Sequence, residues 1–172
     1  MRPYRTRPDA ADIVAGVSKA IERFLGAAEV LGHPVEVRRF PEGTKTAEDA
    51  ARAIGCEVGQ IVKSLVFMAD GAPFLALTSG PNRADPVRLG AILAATEVRR
   101  ASPDEARAAT GFAIGGTPPF GHPQTLLTVV DEDLLRYDEV WAAAGSPDSV
   151  FPIGPSTLIE ATGGRAGDFA ER

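Results

Sequence analysis

The sequence predicts an α+β domain with a mixed, barrel-like β-sheet flanked by helices. Two adjacent apolar segments have the period of two that strands show, and several capped helix patterns surround them. Helices and strands also lack the regular alternation of a doubly wound sheet. The 172 residues are 44% hydrophobic and 24% charged, which is enough apolar material for one core. We therefore expect residues 1–172 to form a single domain.

The first elements are a long helix, a strand and a short helix. Apolar residues recur at helical spacing over residues 12–31, and Gly32 is a stop signal. The segment PVEVRRF (34–40) alternates as a strand does. Thr46, with an aspartate three residues later, then opens a short helix that Gly55 closes.

A hairpin comes next. The segments QIVKSLVFM (60–68) and FLALTS (74–79) are separated by the turn DGAP (70–73), which has typical hairpin loop chemistry. We expect these two strands to form the centre of the sheet.

The second half of the chain contains two helix starts in which a capping residue precedes a proline, at Asp85 and Ser102. The other predicted elements are a helix from 85 to about 95, a strand at 96–101, a helix ending at Gly111, a Gly/Pro-rich loop at 111–124, a strand at 125–130, helical turns at 131–139, strands at 140–145 and 150–153, and a helix at 154–162.

Lys63 stands out in the first hairpin strand. The period of two places it on one face with Ile61, Leu65 and Phe67, so its ammonium points into a core or a cavity. In one interpretation the stem lies along apolar surface while the charged head reaches the sheet edge. In the other, Lys63 borders a cleft and holds an anionic or polar ligand group, because burying a lone ammonium is costly. The pattern alone leaves both open.

Two loops contain further candidates. The segment GGTPPFGH (115–122) is either a plain turn or a rigid loop whose glycine N–H groups point at a carbonyl or an oxyanion. The segment SGPNRADP (79–86) is either a capping loop or a source of phosphate contacts from Asn82 and Arg83.

Composition excludes several classes of function. No run of eighteen apolar residues occurs and the basic N-terminal segment has no apolar stretch after it, so we expect a cytoplasmic protein without a membrane partner. Cys56, His33 and His122 cannot form a zinc-ligand pattern, and we expect neither metal nor cofactor. The net charge of −5 argues against a general nucleic-acid binder, so no DNA partner is expected.

Three ordered segments resemble the YbaK/EbsC family of aminoacyl-tRNA deacylases, whose domain is shared with the editing insert of bacterial prolyl-tRNA synthetases. They are TAEDAARAIGCEVGQIVKSLVF (46–67), with the family's lysine at Lys63, GFAIGGTPPFGH (111–122), with its G-x-x-x-P loop at Gly115 to Pro119, and VWAAAGSPDSVF (140–151). The ordered set is far more specific than any one motif.

The resemblance implies metal-independent hydrolysis of the ester between a wrong amino acid and the 3′ end of a tRNA. It implies that Lys63 holds the terminal phosphate or orients the aminoacyl group, and that Gly115 and Gly116 supply backbone donors near the ester carbonyl. Activation of water by the tRNA's own hydroxyl is also implied. The remaining predicted substrate-binding residues are Ser64, Asn82, Arg83, Thr117, Pro118, Pro119, Gly121, His122 and Gly145.

The resemblance also implies the partners, namely the acceptor end of an aminoacyl-tRNA and an aminoacyl-tRNA synthetase as an escort. Family members acting on cysteinyl-tRNA(Pro) carry a Ser-x-Gly-Lys-Arg-like turn, of which only Gly145 is matched here. Alanine, cysteine, serine and threonine therefore all stay open as the edited amino acid. The alternative function is a non-catalytic module that binds tRNA or a synthetase.

Overall fold

The computed structural model describes residues 18–41 and 44–172. Within them the helices are α1 (Lys19–Val30), α2 (Ala47–Ile54), α3 (Pro86–Leu93), α4 (Pro103–Thr110) and α5 (Pro155–Thr162). The strands are β1 (Arg38–Arg39), β2 (Ile61–Ala69), β3 (Ala72–Ser79), β4 (Val98–Arg100), β5 (Leu127–Asp131), β6 (Val140–Ala143), β7 (Ser149–Ile153) and β8 (Arg165–Gly167). Short 3₁₀ helices cover Val58–Gln60 and Glu132–Arg136.

The strands form one mixed sheet in the order β1-β7-β6-β2-β3-β5-β8, and β4 also pairs with β2. The hairpin of β2 and β3 is antiparallel and central, while β6 runs parallel to β2 and β5 parallel to β3. The predicted class, a mixed sheet with flanking helices, is confirmed.

The local sequence explains why the central hairpin forms. Its register pairs Ala69 with Ala72. The two residues between them, Asp70 and Gly71, have φ of 48° and 85°, as a two-residue hairpin loop requires. The Asp70 carboxylate also accepts the N–H groups of Thr96 and Glu97 and so holds the chain that leads into β4.

The helix caps also form at the residues where the sequence predicts them. The Thr46 hydroxyl accepts the N–H of Asp49 at the start of α2, and Gly55 ends that helix with φ of 84°. Ser102 and Glu105 form a reciprocal capping box at the start of α4. These caps fix two helices that flank the central strand.

The two faces of β2 lie in different parts of the core. Val62 and Val66 pack in one cluster with Phe112 and Phe120, on the same side as α1 and α4. The alternate residues point to the opposite face, which α2 and α3 cover: Ile61 packs against Trp141 and Ala50, and Phe67 packs against Phe74 and Leu89. Lys63 lies on this second face, between two apolar clusters.

Several element boundaries differ from the predictions. The strand predicted at 34–40 is restricted to β1, because only Arg38 and Arg39 pair with β7. Strand β5 starts at Leu127, later than predicted, and β8 was not predicted at all. The predicted turns at 131–139 form a single 3₁₀ helix. The start predicted for the first helix lies outside the described residues.

Candidate active site

The central strand has a gap on one side. Strand β3 pairs with β2 along nearly its whole length, but on the other side β6 reaches only Ile61 and Val62, and β4 reaches only Phe67 to Ala69. The segment Lys63–Leu65 therefore has no strand partner on that side among the described residues. We call this segment the sheet window.

A cavity of about 450 Å³ lies against the sheet window. The Gly/Pro-rich loop, α2, α4 and the turn between β6 and β7 form its other walls. Five of the lining residues are alanines, namely Ala47, Ala50, Ala101, Ala106 and Ala143. Small side chains leave room, and Trp141 closes one wall.

Three cations line the cavity: Lys45, Lys63 and Arg100. We call them the cavity cations. No Asp or Glu of the described residues lines it. The Arg100 guanidinium lies 5.7 Å from the centre of the Phe67 ring. The cavity is therefore electropositive although the chain is net acidic.

Lys63 is half-buried, and its Nζ donates a hydrogen bond of 2.5 Å to the main-chain oxygen of Asn82. Burial lowers the pKa of Lys63, and the carboxylate of Glu48 opposes that effect. The ammonium is thus held at the edge of a cavity by one neutral acceptor. This placement favours the interpretation of Lys63 as a cleft residue.

The Asn82 side chain faces away from the cavity. Its Nδ2 donates to Asp131 Oδ2 at 2.9 Å and to Asp133 Oδ2 at 2.6 Å, and Asp131 also accepts the N–H of Ser79. Asp131 is completely buried. These bonds fix the loop whose main-chain oxygen receives Lys63.

Arg83 is exposed and pairs with Glu171 at 3.5 Å. Neither Asn82 nor Arg83 lines the cavity. Phosphate contacts from these two residues stay a prediction.

The Gly/Pro-rich loop contributes unequally. Gly115 and Thr117 line the cavity. The N–H of Gly116 already donates to Ala113 O at 3.0 Å, so a donor role for Gly116 would require that bond to break. A Cβ at Gly116 would lie 2.8 Å from Ser146 Cα. Gly116 therefore lets the loop pack directly on the turn between β6 and β7.

The prolines and Gly145 support this packing. Pro118 and Pro119 are buried, lack N–H groups and do not line the cavity. Gly145 has φ of 115°, and a Cβ there would lie 2.8 Å from Ala20 O. Gly145 thus allows its turn to lie against α1.

His122 and Gly121 are not brought to the cavity. They lie with Pro119 in a separate depression beside α1. The His122 Nε2 lies 2.8 Å from Pro118 O, and burial lowers the pKa of the imidazole. Substrate contacts from these residues stay a prediction too.

Sequence reasoning missed Lys45, Arg100 and Trp141 as cavity residues. Each lies in a separate segment, and nothing in its local pattern indicates a site. A hydrogen bond from the Thr44 hydroxyl to Pro147 O brings the segment before α2 to the turn between β6 and β7. In the described residues no group of three or more His, Cys, Asp or Glu could hold a metal ion, and no helix there has the length and apolarity to cross a membrane.

The family model for the aminoacyl-tRNA editing domain matches residues 41–161. This span contains the sheet window, the three cavity cations and the Gly/Pro-rich loop. The chain belongs to the aminoacyl-tRNA editing domain family. The predicted family resemblance is therefore confirmed.

Individual relatives agree with this assignment. The chain is 30% identical to the uncharacterised protein YwhH of Bacillus subtilis (strain 168), over 73% of this chain and 80% of YwhH. It is 29% identical to a proline–tRNA ligase of Solidesulfovibrio magneticus, over 81% of this chain but only 24% of the ligase. A proposed trans-editing enzyme for prolyl-tRNA synthetase has a solved structure with a TM-score of 0.87 and 44% identity, covering 91% of this chain and 100% of that one.

Proposed function

We propose that the protein hydrolyses the ester bond of a tRNA that carries a small, wrongly attached amino acid. One observation carries the proposal: in a chain of the editing family, Lys63 and the loop residues Gly115 and Thr117 line the same cavity. The similarity to a proline–tRNA ligase supports tRNA(Pro), or a related tRNA, as the substrate.

The electropositive cavity suits the 3′ end of a tRNA. The three cavity cations form no ion pair with a described carboxylate, so they are available for the phosphate that precedes the terminal adenosine. Because only a few cations take part, we expect tRNA binding to be weak and sensitive to salt.

Hydrolysis at this site needs a water molecule and a place for the oxyanion. The N–H groups of Gly115 and Thr117 have no hydrogen-bond partner among the described residues, so either can donate to the ester oxygen as negative charge develops. A single donor of this kind raises the rate of the chemical step about 10²- to 10³-fold. Lys63 would anchor the tRNA end beside it.

No described His, Cys, Asp or Glu lines the cavity. We therefore assign activation of the water to a hydroxyl of the terminal ribose rather than to a side chain. Lys63 does not act as the base in this scheme, because its Nζ already donates a hydrogen bond to Asn82 O.

The alanine-lined walls favour a small amino acid. A site that selects by size separates amino acids that differ by one methylene by only about 1–3 kcal/mol. Alanine, cysteine, serine and threonine all fit such a pocket in principle. A second hydrolytic check after the synthetase is useful because size alone discriminates so weakly.

The experiment is a panel of tRNA(Pro) charged separately with alanine, cysteine, serine, threonine or proline. Release of labelled amino acid is followed with purified protein, with tRNA alone as the background, and with prolyl-tRNA synthetase added in a parallel series. We expect rapid release from at least one small amino acid and little from proline. If the protein binds the charged tRNAs but releases the amino acid from none of them, the result would instead support a non-catalytic module.

A further inference from the structure

We propose that Ser64, in the sheet window, recognises the α-amino group of the aminoacyl ester through its main-chain carbonyl and its hydroxyl. The inference rests on the proposed function and adds one property to it. The site would require a free amino group and would reject tRNAs whose amino acid is N-acylated, including peptidyl-tRNA.

The backbone of Ser64 faces the window. Met68 lies opposite Pro73 in the hairpin, and Pro73 has no N–H. These two residues are therefore a pair without mutual hydrogen bonds, so the N–H and C=O of Met68 point away from β3. Main-chain direction repeats every second residue along a strand, which gives Ser64 the same direction as Met68. Val66 confirms the pattern, because its oxygen accepts the N–H of Ala101 at 3.1 Å on the side opposite β3.

On that side neither β6 nor β4 reaches Ser64. Its N–H and C=O are therefore unpaired main-chain groups beside a cavity. Such groups are normally paired with backbone, a side chain or ordered water, so here they are open to a ligand.

The side chain of Ser64 is also without a partner. Its Oγ is buried and has no hydrogen bond to any described residue. Ser64 lies on the same face of β2 as Val62 and Val66, whose cluster contains Phe112 and Phe120 of the Gly/Pro-rich loop. The unsatisfied hydroxyl is thus on the side of the strand where the ester carbonyl is proposed to bind.

The charges of the cavity restrict what can receive an amino group. An α-ammonium or amine brings N–H donors that lose water on entry, and each needs an acceptor. The cavity cations cannot accept, and no described carboxylate lines the cavity. Ser64 supplies two neutral oxygens, its Oγ and its main-chain oxygen, and neither has a partner among the described residues.

The test compares two pairs of substrates that differ only in the α-amino group: alanyl-tRNA against propionyl-tRNA, and seryl-tRNA against 3-hydroxypropionyl-tRNA. Hydrogen bonds to a charged group are strong enough that we expect wild-type protein to hydrolyse the amino member of the accepted pair about 10- to 100-fold faster. N-acetylalanyl-tRNA should be hydrolysed as slowly as propionyl-tRNA.

Ser64→Ala removes the hydroxyl and keeps the carbonyl. It should slow the amino member about tenfold and the deaminated member less than about twofold. Its melting temperature should equal or exceed that of the wild type, because the substitution removes an unsatisfied buried hydroxyl.

Equal wild-type rates on both members of a pair would overturn the inference, as would a Ser64→Ala variant that slows both members equally. Both results leave the proposed function intact, because an aminoacyl-tRNA is still hydrolysed. A complete lack of hydrolysis across all substrates would instead refute the proposed function together with this inference.

Discussion

The cavity and the region around the C-terminus hold their positive charges in different ways. Near the C-terminus Arg83 pairs with Glu171, while Arg88 and Arg172 both pair with Asp168 at 3.1 Å. We call these five residues the C-terminal ion-pair region. The cavity cations, by contrast, form no ion pair with any described carboxylate.

The difference shows why net charge is a poor guide to the partner of this protein. The chain carries a net charge of −5, yet its carboxylates neutralise arginines in the C-terminal ion-pair region and leave the cavity positive. Exposed ion pairs contribute only about 0–1 kcal/mol each. A half-buried ammonium such as Lys63, whose pKa is lowered by burial, gains more from an anionic ligand than from solvent.

The largest effect is expected at Lys63. Lys63→Met keeps the aliphatic stem and removes the charge, and should lower kcat/KM for the edited aminoacyl-tRNA by at least about 100-fold. The melting temperature should change by only about 2 °C, because the stem still packs between its apolar neighbours. Single-turnover hydrolysis and calorimetry measure the two quantities.

Lys63→Arg is the matched control. It keeps the charge but cannot reproduce a compact ammonium in the same space, so a partial loss is expected. An inactive Lys63→Met variant that has also lost its thermal transition would show that Lys63 is structural.

The next effect is expected where the Gly/Pro-rich loop meets the turn between β6 and β7. In Gly116→Ala the new methyl group would lie 2.8 Å from Ser146 Cα, a backbone atom that cannot rotate away. We expect a loss of about 1–3 kcal/mol in the free energy of unfolding and a displaced loop. The activity at temperatures where the variant is folded should fall about tenfold if the loop positions Gly115 and Thr117.

Gly167→Ala, in β8, is the control for this change. Its new methyl group would lie 2.8 Å from Ile92 Cδ1, the end of a flexible side chain. The expected cost in stability is below about 1 kcal/mol, with unchanged activity. If both variants lose activity to the same degree, the close packing of the Gly/Pro-rich loop has no special function.

A smaller effect is expected at the other two cavity cations. Lys45→Ala and Arg100→Ala should each remove about one phosphate contact, raise KM several-fold and reduce the salt dependence of log KM by about one unit of slope. Measurements of KM between low and moderate salt would check this. An unchanged slope in the double variant would mean that the tRNA does not approach through this cavity.

The fold was largely predictable because it rests on local signals. The turn predicted at 70–73, the Thr46 cap and the Ser102 capping box each depend on residues a few positions apart, and all three are present. The turn is shorter than predicted, because β3 already begins at Ala72. Strand β8 has no comparable signal. Its three residues form a strand only because β5 offers an edge to pair with.

The site was less predictable because it depends on long-range pairing. The sequence placed Lys63 in a central strand. It could not show that β6 and β4, which both lie on the side of β2 opposite β3, stop short of residues 63–65 and so create the sheet window. It also could not show that the Asn82 side chain donates a hydrogen bond to Asp131, which lies 49 residues away in the sequence. His122 is close to the loop in sequence, yet the chain turns at Gly121, with φ of 82°, and the imidazole lies beside α1 instead.

The smallest effect is expected in the C-terminal ion-pair region. The Arg83 side chain is 85% exposed, and the Arg83→Ala variant loses only its pair with Glu171, so stability should change by less than about 0.5 kcal/mol. Because Arg83 lies outside the cavity lining, we expect kcat/KM and its salt dependence to stay within about twofold of the wild type. If Arg83 contacts a tRNA phosphate, the variant should instead lose activity with a reduced salt slope, as is expected for Lys45→Ala. Comparing Arg83→Ala with Glu171→Ala separates the two cases. A lost phosphate contact weakens only the arginine variant, whereas a purely structural ion pair makes the two variants behave alike.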